Sequence, residues 1–307
     1  MPGDAAAGER ALRDFIAARI ARDAACGDAG LAGLLQAVRL RFGASLAAVL
    51  VYGSWTRGKR DTLIDLYALL DDHAAMPRWQ ARLCRLLPPN VYQLSSGEEA
   101  GTARAKCAVL SLARFETAMS RDFHSYFWAR FVQPVTLIYC RDGTTRERIV
   151  AALACAAQTF VRRVTPLVTA DPAPAMLWVR GFEETYRCEL RAERPGYAQG
   201  LVDAEPEYYA ALTRLVAPLV PASTRAGDGI TPRSRFSWWL RRVQGKLLSA
   251  ARLAKAATMF EAPLDYLLWK IERHSGVRVE VTARQRRHPF LFALPLVWRL
   301  YRQGAFR

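Results

Sequence analysis

Gly53, Ser54 and Asp65 are the strongest candidates for chemistry in this chain. An apolar run, Leu46 to Val51, ends in Tyr52-Gly53-Ser54. A basic loop with Arg57, Lys59 and Arg60 comes next, and Asp65 then sits inside a second apolar run, Leu63-Ile64-Asp65-Leu66-Tyr67. A Gly-Ser turn lets backbone N–H groups come close to phosphate, because glycine has no side chain to clash and tolerates unusual backbone angles. The serine hydroxyl adds a donor, and a carboxylate on the neighbouring strand can hold Mg²⁺ against a triphosphate. The reaction outlined is attack on a nucleoside triphosphate with pyrophosphate leaving. Such sites usually carry a second acid two residues after the first; here that position is Tyr67. Gly-Ser plus one Asp also describes a plain hairpin beside a sheet-edge acid. The preceding apolar strand, the spacing and the basic loop favour the enzyme.

Periodicity supplies the scaffold around these residues. Apolar residues at three- and four-residue spacing (Leu12, Phe15, Ile16, Ile20; Leu31, Leu34, Leu35, Val38) predict two helices within 9–42. Strands are expected at 46–52 and 63–70, a helix at 77–87 and a loop-rich stretch at 88–105. Further short strands are expected over Cys107–Leu112 and Val135–Tyr139, flanking a helix at 112–131. This alternation predicts an α+β class with a small mixed sheet. Helices are expected at 144–164, 174–192 and 205–217, before a Pro- and Gly-rich linker near 218–234.

Of the 307 residues half are apolar, so the chain can bury a core, and the net charge of +16 implies anionic partners. Arginine supplies 39 of the 44 basic residues, a bias that suits bidentate phosphate binding but is equally expected from genomic base composition. The six cysteines are scattered singly, which argues against zinc and for a reducing compartment. There is no hydrophobic signal core near the N-terminus, and the longest apolar run is too short to span a membrane. From Arg225 to Arg307 there are 17 basic and 5 acidic residues, a net of +12. Within this tail, 236–260 forms an amphipathic helix on paper. Trp239, Leu240, Val243, Leu247, Ala250, Ala254 and Ala257 share one arc, and Arg241, Arg242, Lys246, Arg252 and Lys255 cover the other side. A second cluster, Arg284, Arg286, Arg287 and His288, precedes Phe290 to Trp298. Basic residues beside Trp, Phe and Leu suit the interface of an anionic bilayer, with Trp238 and Trp239 at the apolar level.

Three further segments carry a family resemblance. Tyr52-Gly53-Ser54 with Ile64-Asp65-Leu66, Lys106-Cys107-Ala108-Val109-Leu110-Ser111, and Tyr126-Phe127-Trp128-Ala129-Arg130-Phe131-Val132-Gln133-Pro134-Val135 resemble, in order, motifs of the mitochondrial-type phosphatidate cytidylyltransferases. These are peripheral CDP-diacylglycerol synthases of the nucleotidyltransferase superfamily. A weaker echo is Arg187 with Glu193-Arg194-Pro195. That family too lacks the second acid. The chain departs from it at Trp55, which replaces a glycine and is expected to crowd the phosphate loop, and at Ala129, Gln133 and Thr185.

The resemblance implies a nucleotidyltransferase-fold domain at 1–142, a helical, winged-helix-like domain at 143–222 and a basic membrane-docking extension at 223–307. It implies Mg²⁺-dependent transfer from CTP to phosphatidic acid, releasing pyrophosphate, by a protein in the cytoplasm that is peripheral on the inner face of the cell membrane. Gly53 and Ser54 would cradle the triphosphate and Asp65 would hold Mg²⁺. Arg57, Lys59, Lys106, Arg130 and Arg187 would bind nucleotide or lipid phosphate. Sequence alone also leaves Arg130 free to pair with Glu116 or Asp122, and Arg187 to be structural among Glu183, Glu184 and Glu189. A phosphate monoester, with a second pKa near ~6, is already an anionic nucleophile at neutral pH. It needs cations to position it rather than a base. One rival is a nucleotidyltransferase acting on a soluble or protein hydroxyl. Another is a basic nucleic-acid-binding protein, but no recognition motif supports it, so nucleic acid is not an expected partner.

Overall fold

Leu46–Tyr52 is apolar along nearly its whole length, and only a central strand with both faces covered can bury such a run. The computed structural model describes residues 2–21, 28–58, 63–97, 103–168, 174–190, 195–221 and 231–259. In it, Leu46–Tyr52 (β1) lies inside a five-stranded mixed sheet. The other strands are β2 (Ile64–Leu70), β3 (Asn90–Ser95), β4 (Arg104–Ser111) and β5 (Thr136–Cys140), in the order β3-β4-β2-β1-β5. β2 and β4 are parallel, and every other pair is antiparallel. Lys59, Arg60, the second basic cluster and Phe290–Trp298 lie outside the described residues.

Each face of the sheet has its own cover. α2 (Ala29–Phe42) and α3 (Arg78–Leu86) contribute Leu31, Leu34, Val38, Phe42, Ala81 and Cys84 to one face, against Val49, Val51, Leu66 and Val109. The other face, with Leu50, Tyr67, Leu69 and Leu110, packs on α1 (Pro2–Ala21), α4 (Leu112–Ser120), α5 (Trp128–Phe131) and α6 (Gly143–Val164). That core continues without a break into α7 (Pro174–Tyr186), α8 (Tyr197–Asp203), α9 (Pro206–Val216) and Trp238 of α10 (Pro232–Met259). The architecture is α+β, with ten α-helices among the described residues. Met1–Leu253 forms one compact unit and Ala254–Arg307 a second, of which the end of α10 is described. The expected boundary at 142/143 falls inside the first unit, at Asp142, whose carboxylate accepts from the Thr145 N–H at 2.7 Å and caps α6.

The structure differs from expectation in three elements. β3 occupies the stretch expected to be loop, because Pro and Gly at its ends hide six residues that pair with β4. The helix expected over 112–131 is broken into α4 and α5. The intervening loop is held by side chains rather than by helical hydrogen bonds. Arg163 and Arg241 both donate to the Phe123 carbonyl, at 3.0 and 2.6 Å, and the Trp128 indole donates to that of Asp122. α8 is a third element that periodicity does not reveal.

Candidate active site

Strand register brings the first candidates together. Tyr52 is opposite Asp65, Asp65 opposite Lys106, and Lys106 opposite Gln93, so four residues form one row across β1, β2, β4 and β3. Opposed residues share a face. The row belongs to the face of Tyr67, two residues along β2 from Asp65. Lys106 is exposed and Asp65 is half-buried.

The turn after β1 closes over this row. Gly53 has φ +83°, a conformation that L side chains rarely adopt. A Cβ placed on it would stand 3.1 Å from Asp65 Oδ2, so glycine is what lets the turn lie against that carboxylate. Ser54 then enters a short helical turn, Trp55–Arg57, ended by Gly58 at φ +81°. Trp55 does not crowd the loop as expected. It is buried in the core on the opposite face of the sheet, with Val51, Ile64 and Leu66, and fastens the turn from behind. Arg57 is half-buried in the same turn.

Tyr67 fills the place of a second acid. It is fully buried, and burial holds its phenol well above the ordinary tyrosine pKa. Arg130 Nη1 donates to the Tyr67 hydroxyl at 3.4 Å and Nη2 to Glu189 Oε2 at 3.4 Å. The two carboxylates the sequence offers Arg130 are taken elsewhere: Glu116 by Arg148 and Asp122 by Arg114. The Arg130 guanidinium lies 4.1 Å from the Tyr126 ring centroid and 5.8 Å from that of Tyr52. Burial acts to discharge it, but Tyr126, Tyr67 and Glu189 outweigh burial and hold its pKa above the ordinary arginine value.

Sequence reasoning missed one member of this group. Arg252, read as a membrane contact, turns inward from α10. Its guanidinium is 3.9 Å from the Tyr126 centroid, and its Nε donates to the Pro88 carbonyl at 2.9 Å. Burial lowers its pKa, and among the described residues it has no ion pair. Two guanidiniums thus share one aromatic ring, with Glu189 the carboxylate bonded to either. The sequence held no signal for this, because 122 residues separate Arg130 and Arg252.

The rest of α10 keeps the expected apolar arc of Trp239, Leu240, Val243 and Leu247 exposed, but it buries Trp238 and part of its basic side. Trp238 (2% exposed), Arg241 (4%) and Lys255 (7%) are buried rather than membrane-facing. The Trp238 indole donates to the Arg163 carbonyl, and burial takes Arg241 down to about 10. The exposed arc carries Phe236, Trp239, Leu240, Val243, Leu247 and Leu253. Arg242 is half-buried and Lys246 exposed, and both line an open cleft of about 620 Å³ with Arg187, Glu183, Glu189 and Tyr197. Arg187 itself pairs with Glu184 at 2.8 Å, as its structural reading expects, while its side chain stays half-exposed.

Among the described residues no three His, Cys, Asp or Glu side chains gather into a metal cage, and no helix is long and apolar enough to cross a membrane. No protein-family model matches the chain, and no curated protein matches it.

Proposed function

We propose that this chain is a Mg²⁺-dependent nucleotidyltransferase whose acceptor is itself a phosphate monoester. In this reading it forms CDP-diacylglycerol and pyrophosphate from CTP and phosphatidic acid at an anionic membrane surface. One observation carries it. The position two residues after Asp65, on the same sheet face, holds a buried tyrosine bonded to Arg130. The second ionic group of the site is therefore a cation. A hydroxyl acceptor needs a base, whereas an anionic acceptor needs positive charge to bring it in and orient it. The cytosine base and the lipid rest on the family resemblance, as do the nucleotidyltransferase fold and the winged-helix character of the later helices.

Asp65 would hold Mg²⁺, which when bound offsets charge on the leaving pyrophosphate. A lone carboxylate suits this ion, which keeps several waters and takes further ligands from substrate phosphates. Gly53 holds the turn against Asp65 and leaves room for phosphate at its backbone. Lys106, next to Asp65 in the row, would bind triphosphate oxygens. Arg130, its plane set by Tyr67, Glu189 and Tyr126, would offset negative charge as the two phosphates react. The exposed apolar arc of α10, on a helix with seven basic and no acidic residues, supports a place at an anionic lipid surface.

The test incubates the purified protein with Mg²⁺, labelled CTP or ATP, and phosphatidic acid vesicles. The wild type should label the lipid from CTP, and Asp65→Ala should lower the rate by about a hundredfold or more. Equal activity of the two proteins removes Asp65 from the site. Labelling of a soluble hydroxyl compound, with phosphatidic acid untouched, overturns the choice of acceptor.

A further inference from the structure

Arg242 and Lys246 stand four residues apart on α10, so their side chains reach into the same space one above the other. That space is the cleft of about 620 Å³, whose other walls include Arg187, from the turn after α7, and Tyr197, at the start of α8. Its size is within the range that holds small molecules.

The charges on its walls do not cancel. Glu183 has a partner in Arg180 at 3.8 Å, and Glu189 has one in Arg130 at 3.4 Å. Arg187 has Glu184. Among the described residues neither Arg242 nor Lys246 forms an ion pair. The cleft thus presents two surplus cations, fixed on one helix, with both lining carboxylates already neutralised. Its wall leads inward. Glu189 lines the cleft and also accepts from Arg130, which donates to Tyr67 beside Asp65. Trp239 and Val243, both exposed, lie one turn before Arg242 and Lys246. The cleft thus holds a pair of cations with exposed apolar residues one turn away, and through Glu189 it shares a wall with the Arg130–Tyr67 pair beside Asp65.

We propose that this cleft binds the acceptor: the phosphate of an amphiphilic phosphate monoester is held by Arg242 and Lys246 while its acyl chains lie along Trp239 and Val243. The inference rests on the reading of the protein as a transferase to a phosphate. It adds that α10 carries acceptor-binding groups as well as an apolar surface.

The test is calorimetric titration of dihexanoyl phosphatidic acid, below its micelle concentration, into wild type and the Arg242→Gln/Lys246→Gln double variant. Dihexanoylglycerol and glycerol 3-phosphate are the companion ligands. The wild type should bind dihexanoyl phosphatidic acid more tightly than either. The double variant should weaken that binding by about tenfold or more, with CTP affinity unchanged. Unchanged lipid affinity in the double variant overturns the site. Glycerol 3-phosphate binding as tightly as the lipid overturns the amphiphilic ligand in favour of a free phosphate. Lys246→Gln alone, at an exposed position, should show the same loss in smaller measure and guards against a folding defect. Lipid binding without nucleotide transfer in the wild type keeps the cleft and sinks the proposed reaction. Transfer with an unchanged KM for the lipid in the double variant does the reverse.

Discussion

Gly53→Ala tests the geometry at the centre of the site. Two costs arise. At φ +83° an L residue is in the left-handed region, which costs about 1–2 kcal/mol. The new methyl group also lies 3.1 Å from Asp65 Oδ2, so the carboxylate must yield by a few tenths of an ångström. Gly58→Ala separates these effects. Gly58 has nearly the same φ, +81°, and an added Cβ there meets no atom within 4 Å. For a unit of this size, a backbone cost of about 1–2 kcal/mol lowers Tm by about 2–8 °C in either variant. Only Gly53→Ala should disturb Asp65. Its nucleotide-transfer rate should fall by about tenfold or more, since small displacements of positioned groups are costly, while Gly58→Ala stays within about threefold of wild type. Thermal melts and the labelled-CTP assay give the two readouts. Equal activity losses in both variants, or full activity in Gly53→Ala, would refute the claim that the close approach of Gly53 to Asp65 matters.

Three further outcomes are expected. His124 is buried, and burial takes it down to about 4, so at neutral pH it is an uncharged imidazole beside Asp122 at 3.2 Å rather than half of an ion pair. The unfolded chain takes up this proton first. Stability should therefore fall by up to about 3 kcal/mol as pH drops from about 6.5 to 4, and denaturant melts of His124→Gln should lack this component. The buried Tyr67 phenol stays neutral well above ordinary tyrosine, so Tyr67→Phe should leave the shape of the pH–rate profile unchanged. A limb lost from the profile would make Tyr67 a proton carrier. Trp178 is fully buried, stacks on Phe160 at 4.9 Å, and its indole donates to Thr213 Oγ1 at 2.9 Å. Trp178→Ala should cost about 3–5 kcal/mol in urea unfolding, and a cost below about 1 kcal/mol would contradict this packing.

Local spacing alone determined much of this protein. Apolar runs and helical periods placed β1, β2, β4, β5 and most of the helices, because each period is a property of neighbouring residues. Gly53 and Asp65 could also be picked out, since a turn after one strand and an acid near the start of the next are local features. Strand pairing decided how these residues meet. It put Tyr52, Asp65 and Lys106 in one row and sent Trp55 to the opposite face. Sidedness was beyond local pattern. α10 is amphipathic by sequence and leaves Trp239, Leu247 and Leu253 exposed, yet it buries Trp238 and Arg241. The buried arc is set by partners far along the chain. The Phe123 carbonyl accepts from Arg241, that of Pro88 accepts from Arg252, and the Tyr126 ring lies under Arg252. A guanidinium can be buried where carbonyls and rings receive it, and the tertiary structure alone brings those acceptors to α10.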